Sequence, residues 1–416
     1  MKINKKIIII ATSVVLVLAV AFCVILVNPF KLKAKVVSAK QPIKITLPKA
    51  DTSLIDFYNE RREGAYKFAA QAWDMIEFKG RVFLSAGDYN SNSGSAPVYY
   101  YDPKARKFEY CDSVYTEQVS EFEIINDKLI TTAVDPVSWG VGEYYVYNEQ
   151  DDKVDYYSTL PSNIHCYDIE YFDGKYFFSG SVDDAENYAG VQWIKEEDFC
   201  SDDLDKTHQS FLMVDGERNP LDFRVYQLFA FKGELFAWHY EAIPEQFHEQ
   251  LGIPKYLGLF KYNKEKKYFE KLSNEYNLDP IIEKVDHKID LAKIQAKLIY
   301  DDKYVFVNNG LLFTEDFKNY TECSFGEGYD GFVAHDMFER EGQLYILASK
   351  TTKNGKFKTS VFVTENLEKF AEVLNFEADS YMISFEYVDN TFIFCEGGSV
   401  ENMPDSCGNL YAVKVD

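Results

Sequence analysis

The stretch Tyr171-Phe172-Asp173-Gly174-Lys175-Tyr176-Phe177-Phe178 decides the fold of this chain. An apolar run ends in the polar pair Asp173-Gly174, and an aromatic run follows that pair. Asp-Gly supplies the positive φ angle that a tight two-residue turn needs, so the pattern predicts a β-hairpin.

Six other places in the chain carry the same pattern of an apolar run, a short polar turn and a second apolar run. Their turns are Lys79-Gly80, Asn126-Asp127, Lys232-Gly233, Asp301-Asp302, Glu341-Gly342 and Asp389-Asn390. Successive turns lie between 40 and 69 residues apart, mostly in the forties, which is typical of the blades of a β-propeller. The repeat predicts an all-β fold, a seven-bladed β-propeller.

Each predicted blade has four strands, A to D, of which A and B form the hairpin. We expect strand C at residues 98–101, 144–147, 211–214, 257–262, 311–314, 361–364 and 410–413. The seventh blade reaches Asp416 without a strand D. The alternating segment 42–48 is predicted to supply this strand, so that an N-terminal strand closes the propeller and leaves no open sheet edge.

The N-terminal segment is predicted to anchor the chain in a membrane. Residues 7–27 form a run of 21 residues without a charge, long enough to span a bilayer as one transmembrane helix. We interpret residues 1–6 as a short cytoplasmic head, 7–27 as an uncleaved signal anchor, 28–41 as a tether and 42–416 as the propeller. Lysines flank both ends of the span, so the positive-inside count is nearly balanced. The expected location is the cell membrane, single-pass, with the C-terminal domain extracytoplasmic.

The charge of the chain excludes some partners. The net charge is −23, and because residues 1–40 contain seven lysines and no acid, the rest of the chain carries about −30. Such a body repels nucleic acid and anionic lipid and favours cations or basic partners, although solubility alone also explains the charge.

The long connections of the predicted propeller fall on one face of the disc. B–C and D–A connections share that face, and A–B and C–D turns share the other. The long segments are 87–96, 133–142, 181–209, 239–255, 274–288 and 396–409, and all are predicted to be B–C or D–A connections. Elaborated loops on a single face predict that a partner binds there.

A ring of acids is predicted at the mouth of the central channel. The residues six places before each hairpin turn fall near the start of the innermost strand, strand A. They are Asp74, Glu121, Asp168, Gln227, Ala296, Asp336 and Ser384. The candidate binding residues are the five with acid or amide side chains, which could hold Ca²⁺ or another hard cation, an amine or a sugar. The alternative is that each acid accepts hydrogen bonds from backbone N–H groups or from an adjacent blade and ties the blades together.

No motif of a known catalytic class is complete in this chain. The sequence His248-Glu249-Gln250-Leu251-Gly252 lacks the second histidine of a zinc protease motif, and there is no Cys-x-x-Cys pair, nucleophile elbow or P-loop. Cys395 and Cys407 could form a disulfide in an oxidising compartment, or both could be isolated buried thiols. No cofactor is expected apart from the possible Ca²⁺.

Several short stretches resemble bacterial surface propellers that are grouped with kelch-like and sialidase-like folds. They are Gly87-Asp88-Tyr89, Val98-Tyr99-Tyr100-Tyr101-Asp102, Asp135-Pro136-Val137-Ser138-Trp139 and Ile164-His165-Cys166-Tyr167-Asp168. Residues 313–320 and 363–370 are similar to the Asp-boxes of sialidases but lack their Gly and Trp. The resemblance covers roughly residues 65–416 and implies a propeller fold. No catalytic residue carries over, because the sialidase Phe-Arg-Ile-Pro element is absent and only seven arginines exist.

Three functions remain open at this point. The first is a membrane-anchored, non-catalytic propeller that binds a protein or glycan partner through its B–C/D–A face. The second is a glycan-active enzyme, a glycoside hydrolase or lyase, that uses two carboxylates about 5–10 Å apart at the channel mouth. The third is a scaffold subunit of a larger assembly. The sequence does not name a ligand, because a fold does not imply a function.

Overall fold

The computed structural model describes residues 41–61, 67–88, 93–137, 141–219, 221–239, 258–273, 276, 296–308, 310–399 and 403–415. The predicted cytoplasmic head 1–6, the transmembrane span 7–27 and nearly all of the tether 28–41 lie outside these residues. No helix within them has the length and apolar character needed to cross a membrane.

The strands form seven sheets, each built around consecutive antiparallel strands, and this arrangement confirms the seven-bladed propeller. From strand A outward, the blades comprise the following strands. Blade one contains Asp74–Phe78, Arg81–Ser85, Ala96–Asp102 and Lys107–Val114. Blade two contains Phe122–Ile125, Lys128–Thr132, Val141–Asn148 and Lys153–Pro161. Blade three contains Asn163–Phe172, Lys175–Val182, Val191–Lys195 and His208–Gln209. Blade four contains Gln227–Phe231, Glu234–His239, Gly258–Asn263 and Tyr268–Lys271. Blade five contains Ala296–Tyr300, Lys303–Val307, Leu311–Thr314 and Tyr320–Glu322. Blade six contains Val333–Arg340, Gln343–Thr351, Phe357–Thr364 and Ala371–Ala378. Blade seven contains Met382–Val388, Thr391–Glu396 and Asn409–Lys414.

All seven predicted hairpin turns are present between strands A and B. In each blade the two turn residues have positive φ angles, between 46° and 81°. Positive φ at both central residues matches the twist of the flanking strands, which is why Gly, Asn and Asp recur there. The turn chemistry that predicted the fold is therefore the chemistry that forms it.

The core of the molecule lies between the blades and not inside any one of them. Seven apolar clusters occupy the seven interfaces between neighbouring blades. Between blades two and three, for example, Tyr144, Tyr176 and Phe178 are almost fully buried. Burying one large apolar side chain contributes about 1.5–3 kcal/mol, so each blade depends on its neighbours for stability.

The N-terminal segment closes the propeller, but through a different strand from the one predicted. Thr52–Ser53 pairs antiparallel with the last strand, Asn409–Lys414, and forms the outer strand of blade seven. Ile43–Lys44 instead pairs parallel with the outer strand of blade six and adds a fifth strand to that blade. The prediction that 42–48 completes blade seven was wrong, because alternation identifies a strand but not its partner.

Blade three also differs from the prediction. Its strand C is Val191–Lys195, whereas Leu212–Val214 pairs parallel with strand D of blade four. With Glu217–Arg218 it extends that blade to six strands. The apolar run 211–214 was therefore assigned to the wrong blade.

The connections are distributed as predicted in most blades. The described B–C connections include 86–88 with 93–95, 133–137 and 397–399 with 403–408, and the D–A connections include 210–219 and 323–332. Most of 239–255 and 274–288 lies outside the described residues. Blade three is the exception, since its C–D connection 196–207 lies on the opposite face and contains the short 3₁₀ helices Glu196–Asp198 and Leu204–Lys206.

The remaining helical elements precede blade one. Helix α1, Leu54–Arg61, directly follows the closing strand, and a 3₁₀ turn spans Lys67–Ala70. Both bury residues in the apolar cluster between blades seven and one. The six cysteines within the described residues are all unpaired, including Cys395 and Cys407.

Candidate binding site at the central channel

Four of the predicted ring residues lie at or next to the start of strand A, whereas Asp168, Asp336 and Ser384 lie inside longer strands. Asp74, Gln227 and Ala296 begin their strands, and Glu121 directly precedes its strand. In blades three, six and seven, a shift in strand register occurs just before Asp168, Asp336 and Ser384. Such a bulge redirects the side chain that follows it.

A cavity of about 400 Å³ occupies the centre of the propeller. Strands A of blades one, two, five, six and seven line it. The cavity brings together four of the ring positions, Asp74, Glu121, Ala296 and Asp336. Gln227 and Ser384 are buried and are not part of its lining, and Ser384 donates to the backbone carbonyl of Ala72.

Three ring acids form hydrogen bonds that join neighbouring blades. In each case a carboxylate oxygen accepts the backbone N–H of a residue in strand A of the next blade. The bonds are Phe122 N–H to Asp74 Oδ2 at 2.8 Å, Leu228 N–H to Asp168 Oδ2 at 2.8 Å, and Phe385 N–H to Asp336 Oδ2 at 2.9 Å. The other oxygen of Asp168 and of Asp336 accepts the N–H of the following residue. These acids therefore have the structural role that was the alternative to ligand binding.

A second layer of acids, two residues further along strand A, makes the same kind of bond. Glu170 accepts the N–H of Ala230 in blade four, and Glu386 of blade seven accepts the N–H of Glu77 in blade one. This layer was not predicted from the sequence. The signal was available, because residues two apart on a strand point to the same face.

Two ring acids, Glu121 and Asp168, share a lysine partner. Lys297, in blade five, places Nζ 3.3 Å from Glu121 Oε2 and 2.7 Å from Asp168 Oδ2. The lysine side chain is 8 % exposed and that of Asp168 is 3 % exposed, so this is a buried ion pair. Lys297 was also missed, although it is the one charged residue in the apolar strand Ala296–Tyr300.

Three carboxylates near Lys297 come close enough together to suggest a cation site. One oxygen each of Glu121, Glu123 and Asp168 lies within 4.8 Å of the others. The Lys297 ammonium lies against two of the three and already supplies positive charge there. A metal ion would have to displace it, so the geometry gives no independent support for a metal.

Burial shifts the protonation of the channel acids. Burial, and then the charge of Glu121, raise the pKa of Asp74 to about 7, although the N–H of Phe122 opposes the shift. Burial raises the pKa of Glu170 to about 7 and that of Glu386 to about 8. Burial also opposes the charge of Lys297, but Asp168, Glu121 and Glu123 outweigh it and hold the pKa of Lys297 well above its ordinary value.

Comparison with known proteins gives similarity of fold and no family. No family model and no curated protein matches the chain. Among solved structures, the chain is similar to the extracellular domain assigned to hybrid two-component system BT4673 of B. thetaiotaomicron, with a TM-score of 0.48 and 9 % identity. It is also similar to an acylaminoacyl peptidase of Pyrococcus horikoshii, with a TM-score of 0.43 and 10 % identity, and to the Dos1 propeller, with 0.40 and 11 %.

The shared regions are extensive on this chain but partial on two of the neighbours. The similarities cover 84 %, 83 % and 82 % of this chain, and 41 %, 51 % and 78 % of the three neighbours in the same order. The chain thus spans about half the length or less of the first two. At these identities and TM-scores the propeller assignment rests on strand pairing, and the function has to be argued from this chain's own residues.

We predict that the protein is less stable at pH 8 than at pH 5. A carboxyl whose pKa is higher in the folded state stabilises the fold below its unfolded pKa, and this contribution is lost as the pH rises through the folded pKa. For Asp74 that window runs from about pH 4 to about pH 7. Urea unfolding at both pH values should show that Asp74→Asn reduces the difference in unfolding free energy between pH 5 and pH 8 by roughly 2 kcal/mol. An unchanged pH dependence in the variant would contradict this assignment.

We also predict that Lys297→Met destabilises the protein strongly at pH 8 and less at pH 5. The substitution leaves Asp168 and Glu121 without their cation, and removing one partner of a buried pair costs about 3–5 kcal/mol. Burial raises the pKa of Glu121, so at pH 5 this acid takes up a proton more readily, which reduces the cost. Lys261→Met is the control, because Lys261 pairs with Glu234 at the surface, where such pairs contribute about 0–1 kcal/mol. Equal effects of the two substitutions in urea unfolding would show that the buried pair has no special role.

Proposed function

We propose that this chain is a membrane-anchored, extracytoplasmic propeller that acts as a non-catalytic binding or scaffold module for a protein or glycan partner. The partner docks on the face that carries the B–C and D–A connections, which we call the loop face. The proposal involves no cofactor, and the contacts of the Lys297 ammonium group with Glu121 and Asp168 support it.

The observation that carries this proposal is an exposed apolar pair on the loop face. Tyr115 follows strand D of blade one, and Val137 lies in the B–C connection of blade two. They are 60 % and 46 % exposed, and the N–H of Val137 donates to the carbonyl of Tyr115 at 3.0 Å. Single exposed apolar residues are common, but two held together on the elaborated face form a contact point for a partner.

The bonding in the channel supports a non-catalytic role. A catalytic carboxylate has to reach the substrate, whereas Asp74, Asp168 and Asp336 each accept an N–H from the next blade. A glycan-active enzyme remains the alternative, and it would use acids that line the cavity, such as Glu121 or Glu123. Lys297 contacts Glu121 there, which favours a structural use of that acid as well.

Site-specific cross-linking tests the docking face. A photoreactive p-benzoylphenylalanine at position 137 of the full-length chain should cross-link a partner in cells, and mass spectrometry identifies it. The same residue at position 204 should not, because Leu204 is similarly exposed, at 43 %, but lies on the opposite face. Val137→Asp should then abolish recovery of the identified partner, and Leu204→Asp should not. Equal cross-linking from both positions would contradict docking on the loop face.

Protease accessibility tests the anchor and its orientation. The anchor proposal is supported by the uncharged run 7–27 and the strongly acidic body that follows it. In protoplasts that express the full-length chain, added protease should digest the propeller while a cytosolic marker stays intact. Deletion of residues 7–27 should move the protein out of the membrane fraction. A propeller that is digested only after lysis would contradict the proposed topology.

A further inference from the structure

A second cavity, of about 510 Å³, lies between helix α1 and the outer part of blade one. Its volume is within the range of about 300–1,000 Å³ that is common for small-molecule sites. The residues that line it are Phe57, Tyr58, Ser93, Gly94, Ser95, Asp112, Ser113 and Tyr115. Ser93 to Ser95 belong to a B–C connection, and Tyr115 begins a D–A connection, so the cavity lies at the rim of the loop face.

The fold holds the cavity walls in place. Leu54, Phe57 and Tyr58 of helix α1 are almost completely buried in the apolar cluster between blades seven and one. On the opposite wall, the carboxylate of Asp112 accepts the N–H groups of Ser113 and of Val154 in blade two. Both walls are therefore fixed by bonds and packing that do not depend on a ligand.

One buried polar atom at this cavity, the hydroxyl oxygen of Tyr58, has no well-formed hydrogen bond within the described residues. Tyr58 is only 3 % exposed, and its hydroxyl lies beside Ser93 without the geometry of a hydrogen bond to it. The Ser93 hydroxyl is used by the carbonyl of Glu117 and the N–H of Asp88. A buried hydroxyl without a well-formed hydrogen bond costs about 1–3 kcal/mol, and a ligand that bonds to it would recover that cost.

The rest of the lining combines aromatic faces with small polar groups. Tyr115 is 60 % exposed, and Phe57 stacks on the half-exposed ring of Tyr110 with the ring centres 6.0 Å apart. The faces of aromatic rings are electron-rich and attract polarised C–H groups. Ser95, Ser113 and Asp112 offer hydroxyl and carboxylate oxygens. The Asp112 carboxylate has more lone pairs than its two N–H partners use.

Charge narrows the choice of ligand. No lysine, arginine or histidine is among the described residues that line the cavity, and the body of the protein is strongly acidic. An anionic ligand would therefore meet repulsion without a compensating cation. A ligand with C–H faces for the aromatic rings and several hydroxyl groups for the polar atoms fits best.

We propose that this cavity binds a neutral pyranose sugar ring, with Tyr115 against its C–H face and the Tyr58 hydroxyl bonded to one of its oxygens. The proposal rests on the proposed function, because it names a glycan as the partner and places it at the rim of the loop face. Tyr115 belongs both to this cavity and to the exposed pair with Val137, so a sugar seated here contacts the same face.

Saturation-transfer difference NMR on the full-length chain in lipid nanodiscs tests the proposal, because nanodiscs avoid glycoside detergents. The probes are the methyl β-glycosides of glucose, galactose and N-acetylglucosamine. At least one should receive saturation on its ring C–H protons. Tyr115→Ala should weaken its affinity about threefold to tenfold through the lost ring contact. Tyr58→Phe should weaken it by a similar factor through the lost hydrogen bond.

Two controls keep the result interpretable. Tyr156→Ala should leave sugar affinity unchanged, because Tyr156 is 59 % exposed but lies on strand D of blade two, outside the cavity lining. Tyr58→Phe keeps the ring and removes a hydroxyl that has no well-formed hydrogen bond within the described residues, so its melting temperature should not fall.

The possible outcomes separate this proposal from the broader one. No transfer to any of the three sugars overturns the sugar proposal, and cross-linking from position 137 still decides whether the loop face binds a partner. Sugar binding that is unaffected by Tyr115→Ala and Tyr58→Phe overturns the cavity as the site but leaves glycan binding in place. Loss of affinity in both cavity variants and not in Tyr156→Ala supports the proposal.

Discussion

The structure depends on one repeated interaction, in which a carboxylate in strand A of one blade accepts a backbone N–H from strand A of the next. Strand A of each blade has no neighbouring strand on its channel side. The backbone N–H groups on that side therefore need another acceptor. Asp74, Asp168 and Asp336 provide it at the ring positions, and Glu170 and Glu386 provide it two residues beyond a ring position. The bond from the Glu77 N–H to Glu386 joins the last blade to the first.

The same interaction explains why the channel contains a buried lysine. Acids that accept backbone N–H groups bring negative charge into a space that excludes most water, and each additional charge raises the cost. Ala296, the ring position of blade five, contributes no acid, and the next residue, Lys297, reaches across to blades two and three. One cation thus offsets part of the charge that the inter-blade bonds create. The remaining charge is reduced by protonation, as the raised pKa values of Asp74, Glu170 and Glu386 show.

The sequence revealed the fold more completely than the site because the two depend on different ranges of interaction. A hairpin turn such as Asp173-Gly174 is local, and all seven turns were found from neighbouring residues. The pairing of Thr52–Ser53 with the end of the chain joins residues about 360 positions apart, and no local pattern identifies such a partner. Asp74 and Asp336 could be placed at the channel by counting from the turns, but their use as backbone acceptors depends on neighbouring blades. Lys297 was missed because the count selected Ala296 and passed over the residue beside it.

The two cavities differ in whether their polar groups already have partners within the described part of the protein. The central cavity is lined by several acids, but Asp74, Asp336 and Glu121 already have partners within the protein. A ligand there would have to replace bonds that hold the blades together, so its binding would destabilise the fold. At the rim of blade one, the Tyr58 hydroxyl is buried without a well-formed hydrogen bond to a described residue, and the Tyr115 ring is exposed. A ligand there adds a hydrogen bond and covers an aromatic face without breaking an existing contact. The channel acids therefore hold the blades together, and the rim is the place where a proposed ligand meets unused groups.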